Sequence, residues 1–197
     1  MTFLKKRHSE YKGGFTLIEV TVVIVIFSIL SAISIVNYRG FDNSVKLKNQ
    51  AMNVALAIKL AQTKAFSSRE TAGGVPYGVY LDTIDASYMN KSNSFIDMDK
   101  DRIFDAGDTI LTNDQIVLES GYTISKICAD NGSGCMNPLN ETKLFISYLR
   151  PNVDAKICLG IGDCTLTNYS QAQITIASPK NATTTVFVTN MGQIYVQ

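Results

Sequence analysis

One segment of this 197-residue chain is apolar enough to cross a lipid bilayer, and it lies close to the N-terminus. It runs from Phe15 to Val36, reads FTLIEVTVVIVIFSILSAISIV, and carries one charged residue, Glu19. As an α-helix this segment would extend about 33 Å at ~1.5 Å per residue, enough for a hydrocarbon core of ~30 Å. We therefore predict one membrane-spanning helix, and no other stretch of the sequence could span.

The residues before this segment are basic, and they predict its orientation. Four basic residues and one acidic residue give the first 14 residues a net charge of +3, whereas the remaining residues carry −2. Because cytoplasmic flanks collect basic residues, we expect a single-pass protein of the inner (cytoplasmic) membrane, with the N-terminus cytoplasmic and the rest periplasmic or extracellular. The basic residues are Lys5, Lys6, Arg7 and Lys12, opposed by Glu10.

Three interpretations of the apolar segment compete. A secretory signal peptide would have a shorter apolar region, of about 7–15 residues, that ends at a small-residue cleavage site. An uncleaved signal anchor of a surface protein of unknown activity is the simplest alternative. The third interpretation assigns a function to Glu19. Placing a carboxylate at bilayer depth costs a few kcal/mol of free energy, so an ionisable residue there is first considered functional.

A cut between Gly14 and Phe15 would give Glu19 a partner. The new α-amine of Phe15 would be cationic near neutral pH. The amine of a neighbouring subunit could then pair with Glu19 and remove the cost of a lone charge.

The segment from Lys12 to Val20, KGGFTLIEV, together with the apolar run that follows, closely resembles the class III signal of type IV pilins and type II secretion pseudopilins. The resemblance implies that a prepilin peptidase cuts after Gly14 and N-methylates the new N-terminal Phe15. It also implies that Glu19, the fifth residue of the mature chain, is needed for assembly. The implied partners are the prepilin peptidase, other pilin or pseudopilin subunits, an inner-membrane assembly platform and membrane lipid.

The helical pattern continues beyond the membrane segment. Apolar residues recur at spacings of three and four, which marks one helical face. We predict one helix from about Phe15 to Ser68, ended by Ala72, Gly73 and Gly74, with a second, weaker apolar stripe covered by other strands or by neighbours. The main stripe is Leu47, Ala51, Val54, Ile58, Ala61 and Ala65, and the second is Met52, Leu56 and Leu60.

After Val75 the sequence changes to short alternating segments separated by Gly, Pro, Asn and Asp, which is typical of strands. We predict an α+β, pilin-like fold, in which one long helix packs on an antiparallel sheet. The domain limits are 1–14 for a leader that is removed, 15–36 for the membrane and assembly helix, 37–72 for its amphipathic continuation and 73–197 for a β-rich domain. The predicted strands are Tyr77–Leu81, Gln115–Glu119, Tyr122–Ile127, Leu144–Leu149, Lys156–Leu159, Gln173–Ala177, Thr185–Thr189 and Gln193–Val196.

Two features narrow the resemblance to the GspH/FimT-like branch of minor pseudopilins and minor pilins. One is an acidic insert in the first half of the sheet, and the other is a closing hairpin around Asn190, Met191 and Gly192. Some FimT-like pilins carry a basic C-terminal hairpin linked to DNA binding. Here residues 192–197 contain no Lys or Arg, so nucleic acid is not expected as a partner.

The four cysteines, Cys128, Cys135, Cys158 and Cys164, follow the membrane segment and should lie outside the cytoplasm, where disulfides form. Three connectivities exist. The spacings favour two local pairs, because Cys128–Cys135 and Cys158–Cys164 would each enclose a glycine-containing loop. A site of four thiolates is the alternative, although neither pair has the C-x2-C spacing of zinc sites.

The acidic insert predicts a structural calcium ion. Counted from Asp97 as position 1, carboxylates fall at positions 1, 3, 5, 9 and 12, and Ile103 at position 7 would offer its backbone carbonyl, which is the ligand spacing of an EF-hand loop. Two departures are Arg102 at position 6, where glycine makes the turn, and an aspartate in place of glutamate at position 12. A solvated acidic turn is the alternative. The carboxylates are Asp97, Asp99, Asp101, Asp105 and Asp108.

The leading functional hypothesis is a structural one, a minor pilin or pseudopilin subunit of a type II secretion or type IV pilus-like fibre that needs no cofactor for catalysis. The alternative is a competence-type minor pilin that binds DNA, which would need a basic, aromatic surface. We do not expect an enzyme. The only histidine, His8, lies in the leader, and no nucleophile, P-loop or dinucleotide motif follows.

Overall fold

We analysed the protein as a computed structural model, which describes residues 14–67, 74–132, 134–136, 141–152, 154–160, 164 and 169–197. The basic leader residues, Gly13, and the predicted helix stop at Ala72 and Gly73 lie outside the described residues. The chain divides into two compact units, Met1–Asp42 and Asn43–Gln197. The long helix, α1, is assigned from Leu17 to Ser67, close to the limits predicted from the sequence.

In the first unit, α1 exposes almost every side chain from Leu17 to Ser34. This is the one helical stretch among the described residues that is long and apolar enough to cross a membrane. Three hydroxyls in it bond back to the carbonyl four residues earlier: Thr21 to Leu17 (2.9 Å), Ser28 to Ile24 (2.8 Å) and Ser34 to Leu30 (3.0 Å). These polar groups are therefore satisfied inside the helix, as a bilayer requires.

In the second unit, the predicted main stripe of α1 is confirmed, because all six of its residues are buried. The second stripe is not covered within this chain. Met52 and Leu56 remain 49% and 60% exposed, and Leu60 is half-buried.

The helix and antiparallel strands confirm the predicted α+β class, and the strands form two sheets where the sequence analysis expected one. The first sheet has the order β3-β2-β1-β7-β8, with β4 also paired to β2. Its strands are β1 (Tyr77–Asp82), β2 (Lys91–Ile96), β3 (Thr109–Ile110), β4 (Ile116–Val117), β7 (Lys143–Tyr148) and β8 (Ala155–Leu159). The second sheet has the order β11-β10-β9-β5-β6. Its strands are β5 (Thr123–Asp130), β6 (Cys135–Met136), β9 (Gln171–Ala177), β10 (Thr183–Thr189) and β11 (Ile194–Val196).

Strand β2 is the main element that the sequence did not predict. It reads KSNSFI, and its buried positions include Ser92, Asn93 and Ser94. A search for alternating apolar residues passes over such a segment. The Asn93 side chain is held by polar contacts instead, since it donates to the Tyr80 carbonyl (3.4 Å) and accepts from the Gln115 amide.

One hydrophobic core joins α1 to the inner faces of both sheets. Polar contacts fix the helix in place around this core. The Gln62 amide donates to the Gly192 carbonyl (3.2 Å), the Gln50 side chain accepts from the Glu119 N–H (3.2 Å), and Lys64 pairs with Asp114.

The predicted closing hairpin is confirmed between β10 and β11, where Val188 faces Ile194. The turn ends at Gly192, whose φ of 79° suits glycine. The loop of the hairpin therefore lies against Gln62 of α1, which donates to the Gly192 carbonyl.

Candidate functional site

The N-terminal motif places the peptide bond after Gly14 just outside α1. The Thr16 carbonyl accepts from the Val20 N–H (3.3 Å), and the Thr16 hydroxyl accepts from the Glu19 N–H (3.3 Å). This is the first half of a capping box, in which a Thr begins a helix and a Glu follows three residues later. Sequence analysis missed this signal, although T-x-x-E stands in the motif.

Both sides of this peptide bond are accessible. Gly14 and Phe15 precede the helix, Phe15 is 83% exposed, and a side chain added at Gly14 would meet no atom within 4 Å. Glu19 is also exposed, in the first turn of α1. An enzyme could therefore reach the backbone on either side of the bond without unwinding the helix.

The acidic insert forms an ordered loop between β2 and β3. The buried carboxylate of Asp97 accepts from the backbone N–H groups of Lys100 (2.6 Å) and Arg102 (3.0 Å). At the other end, Asp108 accepts from the N–H groups of Met98 (2.8 Å) and Asp105 (3.1 Å). The loop is thus closed by its own first and last carboxylates.

The five predicted ligand residues lie together in this loop. Asp97, Asp99 and Asp108 each place an oxygen within 4.8 Å of the others, and a second group within the same limit contains Asp99, Asp101 and Asp105. Asp99 belongs to both groups. The spacing argument therefore identified residues that do converge in space, although carboxylates also converge without a metal.

Arg102 makes the turn at the position where glycine was expected. Its φ is +74°, in the left-handed region, which costs a residue with a side chain about 1–2 kcal/mol. The two N–H donors to Asp97 and the packing of the residues that follow hold this conformation. The absence of glycine therefore did not prevent the EF-hand-like turn.

Burial raises the pKa of Asp97 to about 6, against the lowering effect of its two backbone hydrogen bonds, and the Asp108 carboxylate adds to the rise. The pKa of Asp108 is also raised, first by burial and then by the Asp105 and Asp99 carboxylates. The loop thus holds carboxylates under mutual repulsion, which a divalent cation would relieve.

The loop rests on a second, smaller core on the outer face of the first sheet. This core contains Tyr80, Phe95, Phe145, Cys158 and Cys164, with Tyr88, Ile103 and Phe104 packed against it. The Phe104 ring lies 5.3 Å from the Tyr80 ring and 5.7 Å from the Phe95 ring, between centroids. No local sequence pattern indicates this core, because its members come from distant segments.

The structure pairs the cysteines locally, as the spacings favoured. Cys128 is bonded to Cys135, and Cys158 to Cys164, each with a Cα–Cα distance of 5.6 Å. The two disulfides have different surroundings. The sulfur atoms of Cys158 and Cys164 lie 4.0 and 3.9 Å from the Arg102 carbonyl oxygen, directly against the acidic loop.

This difference gives a matched pair of variants. Replacing Cys158 and Cys164 together with alanine should lower the free energy of unfolding by about 2 kcal/mol, the entropy expected for so short a loop. It should also weaken any binding of calcium to the acidic loop, because the disulfide supports the Arg102 turn. Thermal melts and calcium titrations of the purified variants measure both effects.

The variant with Cys128 and Cys135 replaced by alanine is the control, because that disulfide closes a loop of similar length. We expect a similar loss of stability with calcium binding unchanged. Equal effects of the two double variants on calcium binding would contradict the proposed support.

Comparison with known families bears on the N-terminal motif. The family model of the prokaryotic N-terminal methylation motif matches residues 11–35. The match supports a type IV pilin-like protein. A search of curated proteins and a search of solved structures each found no significant match. The α+β fold with its long apolar N-terminal helix is consistent with this assignment.

For a pilin-like chain, the motif implies cleavage by a prepilin peptidase and assembly with other pilins. The apolar helix that carries the motif indicates a single-pass, membrane-anchored protein. The peptide bond after Gly14 is accessible, and Phe15 and Glu19 are exposed, so the residues that the sequence predicts for processing and assembly are open to other proteins.

Proposed function

We propose that this chain is a minor pilin or pseudopilin subunit of a type II secretion or type IV pilus-like fibre. A prepilin peptidase cuts after Gly14, and the new N-terminus at Phe15 is methylated. The observation that carries the proposal is the methylation motif at residues 11–35, placed on a capped helix whose scissile bond is accessible. The role is structural and requires no catalytic site.

The proposed orientation places the leader in the cytoplasm and the β-rich domain on the periplasmic or extracellular side. Its support is the basic charge of the leader and the two disulfides, which form outside the cytoplasm. An inner-membrane assembly platform and membrane lipid are the further proposed partners.

The proposed assembly step joins the Phe15 amine of one subunit to Glu19 of another. Both residues are exposed on the isolated chain, and a carboxylate in an apolar surrounding is stable only with a partner. Pairing across subunits would also fix their axial register, because each chain offers one amine and one carboxylate.

The GspH/FimT-like branch is proposed from the acidic insert and the closing hairpin. The exposed end of this hairpin carries Met191, Gln193 and Tyr195 and no cation, which favours a fibre subunit over the competence-type DNA-binding alternative.

We also propose that a calcium ion orders the acidic loop. The support is the convergence of five aspartates at EF-hand spacing, together with the turn at Arg102. The ion would be structural, since it would lie on the outer face of the first sheet and relieve repulsion among the carboxylates.

Intact mass tests the proposed function. Protein isolated from its native membranes should lack residues 1–14 and should carry one added methyl group on Phe15. Replacing Gly14 with a bulky residue such as leucine should retain the leader, because the peptidase must fit a small residue there. A full-length mass in cells with an active prepilin peptidase would overturn the proposal.

A further inference from the structure

A groove of about 560 Å³ lies beside β8 and the loop of the closing hairpin. Its apolar wall contains the buried Ala155 and Ile157 and the half-buried Leu149 and Tyr169. A volume of this size, with an apolar wall and a few polar groups, is typical of a binding pocket. None of the residues involved in processing or assembly lines it.

The charges in the groove are mainly positive. Arg102, Arg150 and Lys156 line it together with one acidic residue, Asp154, which leaves a net charge of +2. The three cations come from three separate segments: the acidic loop, the turn after β7, and β8 itself. The chain after residue 14 carries a net charge of −2, so the groove is a positive patch on a slightly acidic chain.

Arg102 connects this groove to the acidic loop. Its backbone N–H donates to Asp97, and its half-buried side chain lines the groove. Since guanidinium groups remain charged in proteins, the loop places a permanent cation beside the apolar wall. The backbone that carries this cation is held by the Asp97 carboxylate before any ligand arrives.

We propose that this groove binds an acidic peptide segment of a partner protein. Carboxylates of the segment pair with Arg102, Arg150 and Lys156, and its apolar side chains contact Leu149 and Ile157. The inference goes beyond the proposed fibre role, because it uses neither Phe15 nor Glu19, and it identifies the partner by its charge and apolar content.

The surroundings of the groove favour a peptide over a nucleic acid. Asp154 lies on the rim, and the exposed carboxylates of Asp99 and Asp101 lie in the same loop as Arg102. These anions would repel a strand with a phosphate at every nucleotide. A peptide can place single carboxylates against single cations and leave apolar side chains for the wall.

Fluorescence anisotropy of the full-length protein in nonionic micelles tests the proposal. The probe is a short labelled peptide that alternates Asp and Leu, compared with the same peptide carrying Asn in place of Asp. We expect saturable binding of the Asp peptide that weakens with added salt, because the rim charges are exposed. The Asn peptide should not bind.

Matched variants locate the binding. Replacing Arg150 and Lys156 together with glutamine should weaken binding about fivefold to tenfold, as expected for the loss of two ion pairs, one at the exposed Arg150 and one at the half-buried Lys156. Replacing Asp154 with asparagine should tighten it about twofold. The double variant Lys126→Gln, Lys180→Gln removes two exposed cations that do not line the groove, and it should bind like the wild type.

The proposal is overturned if the Asp peptide does not bind, or if the Arg150/Lys156 and Lys126/Lys180 variants behave alike while both retain the wild-type melting temperature. Equal or tighter binding of a labelled single-stranded DNA that competes with the peptide would also overturn it and identify the groove as a nucleic-acid site. None of these results alters the cleavage test, so the two proposals fail separately.

Discussion

Replacing Glu19 with glutamine should leave cleavage after Gly14 intact and remove the subunit from assembled fibres. Glutamine keeps the shape and the helix preference of the side chain, but it removes the charge that would meet the Phe15 amine of a neighbour. An amine left unpaired in an apolar helix bundle costs about 3–5 kcal/mol, which is a loss of about one hundredfold to several thousandfold in association.

Intact mass and fibre recovery measure the two parts of this result. The mass should show a processed chain in the membrane, and the sheared fibre fraction should contain less than about one per cent of the wild-type amount, as the same energy implies. The control is Glu119→Gln, which removes an exposed carboxylate from the β-rich domain. Fibres that contain normal amounts of the Glu19→Gln subunit would contradict the pairing.

Calcium should raise the melting temperature of the β-rich domain. At a free concentration about 100 times the dissociation constant, a ligand that binds only the folded state adds ~2.7 kcal/mol, which corresponds to roughly 5–10 °C for a domain of this size. The physical reason is that a divalent cation relieves the repulsion among five carboxylates that the fold has brought together. Melts in calcium and in chelator, at constant ionic strength, measure the shift.

Asp99→Asn is the variant that should abolish this shift, because Asp99 belongs to both groups of converging carboxylates. It should also be slightly more stable than the wild type in chelator, since it removes one charge from the repelling set. Asp154→Asn, which removes an exposed carboxylate outside the acidic loop, should keep the full shift. A calcium shift that survives Asp99→Asn, or no shift in the wild type, would rule out the site.

Patterns within short stretches of the chain were sufficient to predict the long helix and the N-terminal motif. The stripe from Leu47 to Ala65 and the sequence around Gly14 each lie within a few helical turns, where spacing alone determines which side chains share a face. The carboxylates from Asp97 to Asp108 converge for the same reason, because a loop of that length brings its own side chains together, and calcium binding stays a prediction.

Features made by distant residues were not predictable in this way. Predicting the second sheet and the small aromatic core requires knowledge of which strands pair. Strand β2 is buried although Ser92, Asn93 and Ser94 are polar, so its sequence does not indicate its burial. The groove joins Arg102 to Arg150 and Lys156, which no local pattern connects. Arg102 departs from the glycine of the EF-hand pattern, and its left-handed backbone conformation depends on the Asp97 hydrogen bond, which local spacing does not reveal.

The positions of the two disulfides have a mechanical consequence. Both close short local loops, Cys128 to Cys135 and Cys158 to Cys164, and neither links α1 to a strand. Among the described residues, the core contacts and the side chains of Gln50, Gln62 and Lys64 would therefore resist a pulling force along α1. Under tension the helix can separate from the sheets without breaking a covalent bond, so neither disulfide carries the load between α1 and the sheets.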